Sequence, residues 1–382
     1  MVLERERAAT TVEAPDVPAV KPVVRTWGVD LGRALAAVAV VIIHASAAGD
    51  APVDSAAATL RELASFAVPF FLATSAVFGV KSISATRSAW SIARQRLARL
   101  LVPYAAWTVV YIGLKALSAA LADDPDRLDS LLRDPGRLVL LGGASVQLYF
   151  LPMLAIGMLL LPVADAMARR LRYKTDALGF AAVCVLPYWY LGWTGNGYDI
   201  ATATAFRDLV DPTRTHAADA VVRVLLVIVA WLLRFLPYLG LAVVVRVFRL
   251  DRRCPRPVLL GSAAAFVIVE VLFRPFQPHI LRELVVAFPL LLVCFATRGP
   301  QVPGRFSRAV SSVARHSFGI FLVHTAVLQV VQDVGDKLHH GFTARVSLGM
   351  VLACAAPTLL LAWLGAAIID RIKPLRKILV AG

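Results

Sequence analysis

The sequence has few cysteines, and their arrangement is not that of a metal site or a disulfide framework. The cysteines lie far apart, with neither a Cys-x-x-Cys pair nor a histidine at the spacing of a zinc ligand. They are Cys184, Cys254, Cys294 and Cys354. We therefore expect no metal and no set of disulfides. The adjacent residues His339 and His340 are expected to form a solvated pair.

The sequence also lacks an internal repeat, a long linker and room for an appended soluble enzyme. The largest segments between apolar runs, 122–137 and 194–219, are too short for a soluble domain. We predict one transmembrane domain, 29–372, between a disordered cytoplasmic tail, 1–28, and a short basic cytoplasmic tail, 373–382. A cleaved signal peptide is the alternative for the first segment, but a long polar leader and ionisable groups in the apolar run fit one poorly.

Charged residues are scarce, at 17%, whereas hydrophobic residues make up 59% and the mean hydropathy is +0.72. A soluble core cannot hide that much apolar surface, so a bilayer must cover it. Ten apolar runs have about the 17–25 residues that cross a bilayer. We predict an all-α bundle of about ten transmembrane helices at 29–49, 62–81, 99–121, 145–165, 177–193, 220–246, 257–274, 279–297, 312–334 and 344–370.

The charges between these runs predict the orientation of the bundle. With the amino terminus inside, the inner segments hold 26 Lys and Arg and the outer segments hold 12. This follows the positive-inside rule, so both termini are expected in the cytoplasm. Basic loops beside anionic lipid account for the net charge of +15, and no nucleic-acid partner is expected. The Arg- and Ala-rich composition indicates a bacterial, multi-pass plasma-membrane protein.

The first apolar run carries three titratable residues, Asp30, Arg33 and His44. Eleven residues separate Arg33 from His44, so the two side chains project from one helix face about 16 Å apart along the axis. A charge at the centre of a span costs about 2.5–3.5 kcal/mol. We therefore expect the stripe formed by Asp30, Arg33 and His44 to face protein or water. The spacing alone fits a functional stripe and a structural interpretation equally well. In the structural interpretation, Asp30 and Arg33 form an interfacial ion pair and His44 reaches the outer water.

The segment DLGRALAAVAVVIIH resembles the first span of the acyltransferase-3 family of integral membrane acyltransferases. That span has an Arg in a DxLR sequence and, after ten further residues, a His; these are Asp30, Arg33 and His44 here. Five later stretches resemble the family's motifs in the family's order, so the resemblance covers nearly the whole chain. They are FAVPFFLATSAVFG at 66–79, ARQRLARLLVPYAAW at 93–107, VQLYFLPMLAIGMLLLPV at 146–163, LRFLPYLGLAVV at 233–244 and SFGIFLVHTAVL at 317–328.

The chain departs from the family pattern at three positions. Gln147 stands near the family's His before its LWFL sequence, Ala76 replaces a Gly, and Thr325 replaces the Pro after the late His. These departures bear on contacts with the acceptor more than on the Arg and His of the first span. The resemblance is closest to members that act without an appended soluble domain.

The resemblance implies an O-acyltransferase. It implies transfer of an acyl group, with acetyl favoured, from cytosolic acyl-CoA to a hydroxyl of an extracytoplasmic glycan, lipid-linked sugar or small metabolite. On that basis His44 is expected to take the proton of the hydroxyl, since the reference pKa of an imidazole is about 6.5. A transient acyl group on His44 is the less favoured route. Arg33 and Asp30 belong to the same catalytic stripe.

The resemblance also suggests where the donor and the reacting carbonyl are bound. Arg94, Arg96 and Arg99, with Arg33 at the inner mouth, are expected to hold the phosphates of acyl-CoA. Motif position makes Ser75 and Tyr149 candidates to donate hydrogen bonds to the oxyanion. His324 matches the family's late His and is expected to hold helices together by hydrogen bonds.

Glu270 lies deep in an apolar run and is a candidate site residue that needs a basic partner. Arg223, Arg234 and Arg274 are the three partners that the sequence leaves open. A polytopic transporter or flippase is the main functional alternative, since buried charges serve those proteins as well. A non-catalytic envelope scaffold is a third. The expected partners are acyl-CoA, the acceptor and membrane lipids, and a homo-oligomer is compatible with the sequence.

Overall fold

The protein is a bundle of α-helices, seen in a computed structural model that describes residues 27–47, 51–82, 88–122, 132–171, 173–200, 202–209, 217–271, 279–298 and 304–380. Within these ranges, β structure is limited to two isolated bridges. The helices are α1 Trp27–Ala45, α2 Ser55–Leu63, α3 Ala67–Lys81, α4 Ala89–Ala122, α5 Pro135–Leu140, α6 Phe150–Met158, α7 Leu161–Arg170, α8 Lys174–Trp193, α9 Ala217–Phe248, α10 Arg256–Val271, α11 His279–Ala296, α12 Arg305–Leu338, α13 Leu348–Arg371 and α14 Lys373–Leu375.

Six helical segments of the described chain are long and apolar enough to cross a membrane: Trp27–Ala45, Ser55–Lys81, Ala89–Leu121, Asp219–Phe248, Arg305–Leu338 and Leu348–Arg371. A seventh is added if α6 and α7, which meet at a 42° bend, form one broken span. The remaining predicted runs coincide with α8, α10 and α11, which are not among these segments. The chain is a helical membrane protein, and the count of ten spans with cytoplasmic termini stays a prediction.

The two predicted tails differ in what the structure describes. Residues 1–26 of the first tail, like the acidic run 123–130, lie outside the described residues. The second tail is helical from Lys373 to Val380 and folds back on the bundle. There the Trp107 indole nitrogen of α4 donates to the Leu379 carbonyl oxygen at 3.0 Å. This C-terminal segment, 373–380, therefore forms part of one wall of the bundle.

Helix α1 is packed among α3, α11, α12 and α13. Its small residues allow close approach: a Cβ atom on Gly28 would lie 2.1 Å from the Cys294 carbonyl oxygen, and one on Gly32 would lie 2.5 Å from the Phe70 ring. Such contacts between helices are typical of membrane bundles, where small residues bring backbones together. The Arg33 to His44 stripe consequently lies against protein, mainly along α12. We call the end at which α1 begins the inner end, because the charge pattern predicts it to be cytoplasmic.

Ion pairs join the other helices of the bundle. Arg234 of α9 contacts Glu283 of α11 at 2.8 Å, and the Tyr238 hydroxyl donates to the same carboxylate at 3.0 Å. Two charged groups taken out of water need such partners, because desolvation penalises each of them alone. The pair fixes α9 to α11 beside the cavities described below.

Among the described residues, Glu270 contacts a basic residue that is not one of the three partners considered in the sequence analysis. Arg282 approaches its carboxylate at 3.4 Å, from the first turn of α11. Arg223 contacts Asp134 instead, and Arg234 contacts Glu283. Arg274 lies outside the described residues. Helices α10 and α11 pack against each other and bring Glu270 and Arg282 together, a proximity that the linear sequence does not reveal.

Candidate active site

Arg33 lies at the inner part of α1, where it contacts α12. Its Nη2 atom donates to the Ser317 hydroxyl oxygen at 3.1 Å. Asp30, one turn earlier on the same helix, is buried. This hydrogen bond holds the guanidinium at a fixed place on α12. The residue that orients it, Ser317, is the first residue of the SFGIFLVHTAVL stretch.

His44 lies at the other end of α1 and faces a second histidine. The ring centroids of His44 and His324 are 4.9 Å apart, with the rings tilted by 49°. His324 is completely buried in α12, whereas His44 is half-buried. Because α1 is a continuous helix, Arg33 and His44 lie about 16 Å apart along its axis. The stripe therefore runs along α12 from Ser317 to His324.

The tautomer of His324 follows from its neighbours. Its Nδ1 atom lies 2.8 Å from the Phe321 carbonyl oxygen and 3.1 Å from that of Ile320, so Nδ1 carries the hydrogen. Its Nε2 atom is buried and has no hydrogen-bond partner in the described part of the chain. The expectation that His324 joins helices by hydrogen bonds was wrong for Nδ1, whose bonds stay within α12. A buried lone pair is left beside His44.

A cavity of about 560 Å³ opens below this histidine pair at the inner end of the bundle. We call it the inner cavity. Four arginines of three different helices line it: Arg33, Arg96, Arg99 and Arg315. The Ser75 hydroxyl is also part of the lining. The cavity thus combines a concentration of positive charge with hydrogen-bond donors, which suits a phosphate-bearing ligand.

The two ends of the inner cavity differ in polarity. Near the inner surface, Arg96 donates to the Phe78 carbonyl oxygen at 3.0 Å and to the Ser82 hydroxyl at 3.3 Å. Toward the histidine pair the lining is aromatic and includes Phe71 and Phe321. The Phe321 ring centroid is 6.0 Å from that of His324, so this ring separates the cavity from the histidines.

A cluster of hydroxyl and amide groups lies on the outer side of His324. Tyr111 donates to the Leu322 carbonyl oxygen at 2.7 Å, and its oxygen is 2.7 Å from the Thr325 hydroxyl. Ser145 lies 3.4 Å from the same Thr325 hydroxyl and donates to the Gln147 amide oxygen at 2.6 Å. The Gln147 nitrogen is buried and has no partner among the described residues. It is therefore an available donor close to the late histidine.

A second, smaller cavity of about 280 Å³ adjoins this cluster, and we call it the outer cavity. Its lining includes Lys115, Arg137, Ser145, Tyr149 and Tyr198. The Tyr149 and Tyr198 ring centroids are 5.8 Å apart. The outer cavity shares none of the residues that line the inner cavity.

The structure brings together most of the predicted donor-binding residues and separates others. Arg33, Arg96 and Arg99 line the inner cavity, whereas Arg94 is exposed and is not part of the lining. Ser75 and Tyr149 lie in different cavities, so they do not converge on one oxyanion.

Sequence reasoning missed two residues of the inner cavity, Arg315 and Ser317. Ser317 begins the late histidine stretch and Arg315 lies two residues before it, and that position was the available signal. At the outer end, His339 and His340 are exposed, as expected for a solvated pair. Among the described residues there is no cluster of three or more His, Cys, Asp or Glu side chains with the geometry of a metal site.

Comparison with known families agrees with this arrangement. The family model described as "Acyltransferase domain", that of the acyltransferase-3 family, matches residues 26–367. The chain belongs to the acyltransferase-3 family. The match covers the whole stripe, the outer cavity and the lining of the inner cavity except Val380. It favours a membrane acyltransferase over a transporter, a flippase or a scaffold. No curated protein and no solved structure matches the chain.

Proposed function

We propose that this acyltransferase-3 family protein transfers an acyl group, acetyl in the favoured case, from acyl-CoA to a hydroxyl on the outer side of a bacterial plasma membrane. The observation that carries the proposal is the inner cavity, in which four arginines lie below an aromatic end next to the His44 and His324 pair. Acyl-CoA has the same polarity, with phosphates at one end and an acyl thioester at the other.

The donor enters from the inner end in this proposal. Arg33, Arg96, Arg99 and Arg315 bind its phosphates through charge-assisted hydrogen bonds. The long arm then extends past Phe71 toward Phe321, and the Phe321 ring moves aside to admit the thioester. Ser317 keeps the Arg33 guanidinium directed into the cavity. Excluding water from this path protects the thioester from hydrolysis.

The chemical step uses His44 as general base. His44 accepts the proton of the acceptor hydroxyl while that oxygen attacks the thioester carbonyl carbon. The tetrahedral intermediate collapses and the C–S bond breaks. The CoA thiolate that leaves then accepts the proton that His44 took from the hydroxyl. His324 supports the imidazolium of His44 through the lone pair on Nε2, because its own hydrogen is held at Nδ1 by the α12 carbonyls. The buried Gln147 amide is a candidate donor to the oxyanion.

Transfer of radiolabel from acetyl-CoA tests the proposal directly. The purified protein is reconstituted in vesicles with labelled acetyl-CoA and a panel of hydroxyl acceptors, namely a hexose phosphate, a hexuronate and a methyl hexoside. We expect release of free CoA thiol that depends on an acceptor and label that appears in the acceptor. Uptake of an acceptor into the vesicles without release of CoA would instead identify a transporter.

A further inference from the structure

The outer cavity has a chemical character that points to a class of ligand. Its volume of about 280 Å³ is small, and two basic side chains, Lys115 and Arg137, are part of its lining. None of the described residues that line it is acidic. Both side chains are exposed, so solvent and ligands reach them, and an anion that contacts both of them offsets their two like charges.

Two acidic side chains near the cavity, Asp134 and Asp199, have basic partners of their own. Asp134 contacts Arg223 and accepts the backbone N–H of Arg137 as the cap of α5. Asp199 contacts Arg207 and accepts the Thr202 hydroxyl at 2.9 Å. Lys115 has no ion pair or hydrogen bond to any described residue. The Lys115 ammonium group is therefore a positive charge of the cavity that no described acid pairs with.

The walls of the outer cavity are shaped before any ligand arrives. Tyr104 donates to the Val139 carbonyl oxygen at 2.6 Å and accepts the Gly142 N–H at 3.0 Å, which holds the turn after α5. Gly142 adopts a φ of +76°, and a Cβ atom there would lie 2.3 Å from the Tyr149 nitrogen, so only glycine fits. The turn consequently keeps Arg137 and Tyr149 at fixed places on one side of the cavity.

Two aromatic rings complete the cavity. Tyr149 and Tyr198 lie 5.8 Å apart, and Tyr198 rests edge-on against Trp231 at 5.4 Å. An aromatic wall with a few polar groups is the lining that orients a small, partly apolar ligand such as a sugar ring. The cations and rings together fit a ring that carries hydroxyls and an anion.

The outer cavity also adjoins the reacting groups. Ser145 is part of its lining and lies 3.4 Å from the Thr325 hydroxyl. Thr325 follows His324, whose ring is 4.9 Å from that of His44. Ser145 therefore connects the lining of the outer cavity to the residue that follows His324.

We propose that the outer cavity is the acceptor site and that the acceptor is an anionic glycoside or sugar phosphate. Lys115 and Arg137 bind its phosphate or carboxylate, Tyr149 and Tyr198 pack on its ring, and a neighbouring hydroxyl reaches His44. This inference rests on the acyl transfer proposed above and adds the charge class of the acceptor to it.

Binding to the detergent-purified full chain tests the inference. The probes are a hexose 1-phosphate, a hexuronate and an uncharged methyl hexoside, each titrated by calorimetry. We expect both anions to bind about tenfold or more tightly than the methyl hexoside, because charge-assisted contacts are stronger than neutral ones. Lys115→Gln with Arg137→Gln should remove this preference, and Lys115→Arg with Arg137→Lys should partly keep it.

The matched control is Lys337→Gln with Arg345→Gln, which removes the same charge from exposed positions outside the cavity. It should bind the anions as the native protein does. Binding of the methyl hexoside as tight as that of the anions, or full anion binding by the Lys115 and Arg137 double variant, would overturn the inference. Vesicles of phosphatidylglycerol and of phosphatidylcholine test whether the anion that binds in the cavity is a lipid headgroup. Anion binding confined to phosphatidylglycerol would also overturn it, because the cavity would then hold a bilayer lipid.

Binding of CoA and turnover of acetyl-CoA are measured on the same variants. If the Lys115 and Arg137 double variant still binds the anions and still turns over acetyl-CoA, the proposed acceptor class is refuted. The proposed acyl transfer is then unaffected. Anion binding that depends on Lys115 and Arg137 in a protein that never transfers an acetyl group refutes the transfer, and with it the acceptor role. The two failures are therefore distinguishable.

Discussion

The inner and outer cavities lie at opposite ends of the same stripe, and both are basic. The inner cavity has about 560 Å³ and four arginines, whereas the outer cavity has about 280 Å³, one lysine, one arginine and two tyrosines. Larger volume and more guanidinium groups suit a ligand with several phosphates, such as acyl-CoA. A small cavity with two cations and aromatic walls suits a single sugar ring with one anion. In the reaction proposed above, this difference assigns the two substrates to different ends of the bundle, from which they meet at the histidine pair.

The largest expected effect is at the meeting point. His44→Ala should lower acyl transfer by about 10²–10⁴-fold, because it removes the general base. Turnover of labelled acetyl-CoA with saturating acceptor measures it. His339→Ala is the control, since that imidazole is exposed on the outer side and should leave the rate unchanged. Near-native turnover by the His44 variant would remove the basis for the mechanism.

Gln147→Leu tests the donor next to the histidine pair. The substitution keeps the side-chain volume but removes an amide nitrogen that has no described partner, so stabilisation of the oxyanion should fall. It also removes the amide oxygen that accepts the Ser145 hydroxyl. We expect turnover to fall by about 10-fold or more, with CoA affinity unchanged. Steady-state kinetics and calorimetry on the same sample separate these two quantities. A change confined to CoA affinity would mean that Gln147 belongs to the donor site.

The arginines of α4 sharpen the definition of the inner cavity. Arg96→Ala and Arg99→Ala should each raise the apparent KM for acetyl-CoA by about tenfold, because each removes a charge-assisted contact. Arg94→Ala is the matched control, since Arg94 is exposed outside the lining. Equal effects at all three positions would indicate a diffuse attraction by basic loops instead of a defined cavity.

Ser317→Ala should give the smallest effect, a rise in the KM for acetyl-CoA of about two- to fivefold. It removes a single hydrogen bond to the Arg33 guanidinium, at 3.1 Å. A double-mutant cycle with Arg33→Ala checks this role, because Ser317 acts through Arg33 and should add nothing once Arg33 is gone. Additive losses would show that the Ser317 hydroxyl has a separate function.

The stripe and its neighbours could be predicted from the sequence because they depend on local geometry. The helical spacing of Arg33 and His44 placed both on one face, and α1 is indeed a continuous helix packed against protein. The resemblance to the acyltransferase-3 family also predicted Arg96 and Arg99 as donor-binding residues, and both line the inner cavity. These conclusions needed only helix periodicity and motif order.

Contacts between distant helices could not be predicted in this way. Ser317 and His324 meet α1 across a separation of some 280 residues, and the sequence offered no measure of the helix packing that pairs them. The same applies to Tyr149, whose motif position suggested a partner of Ser75 although the two line different cavities. Charge counts likewise predicted orientation, but not which of the shorter helices cross the membrane.

The most direct test of the division of labour along the stripe is CoA binding by two variants of α1. The account predicts that Arg33→Ala loses CoA affinity, whereas His44→Ala binds CoA as the native protein does and fails only in transfer. Arg33→Lys should restore the affinity in part, because a point charge cannot reproduce the guanidinium fork. Calorimetry on the detergent-purified proteins, with CoA as the unreactive ligand, gives the comparison. Equal loss of CoA binding in both alanine variants, or in neither, would contradict the account.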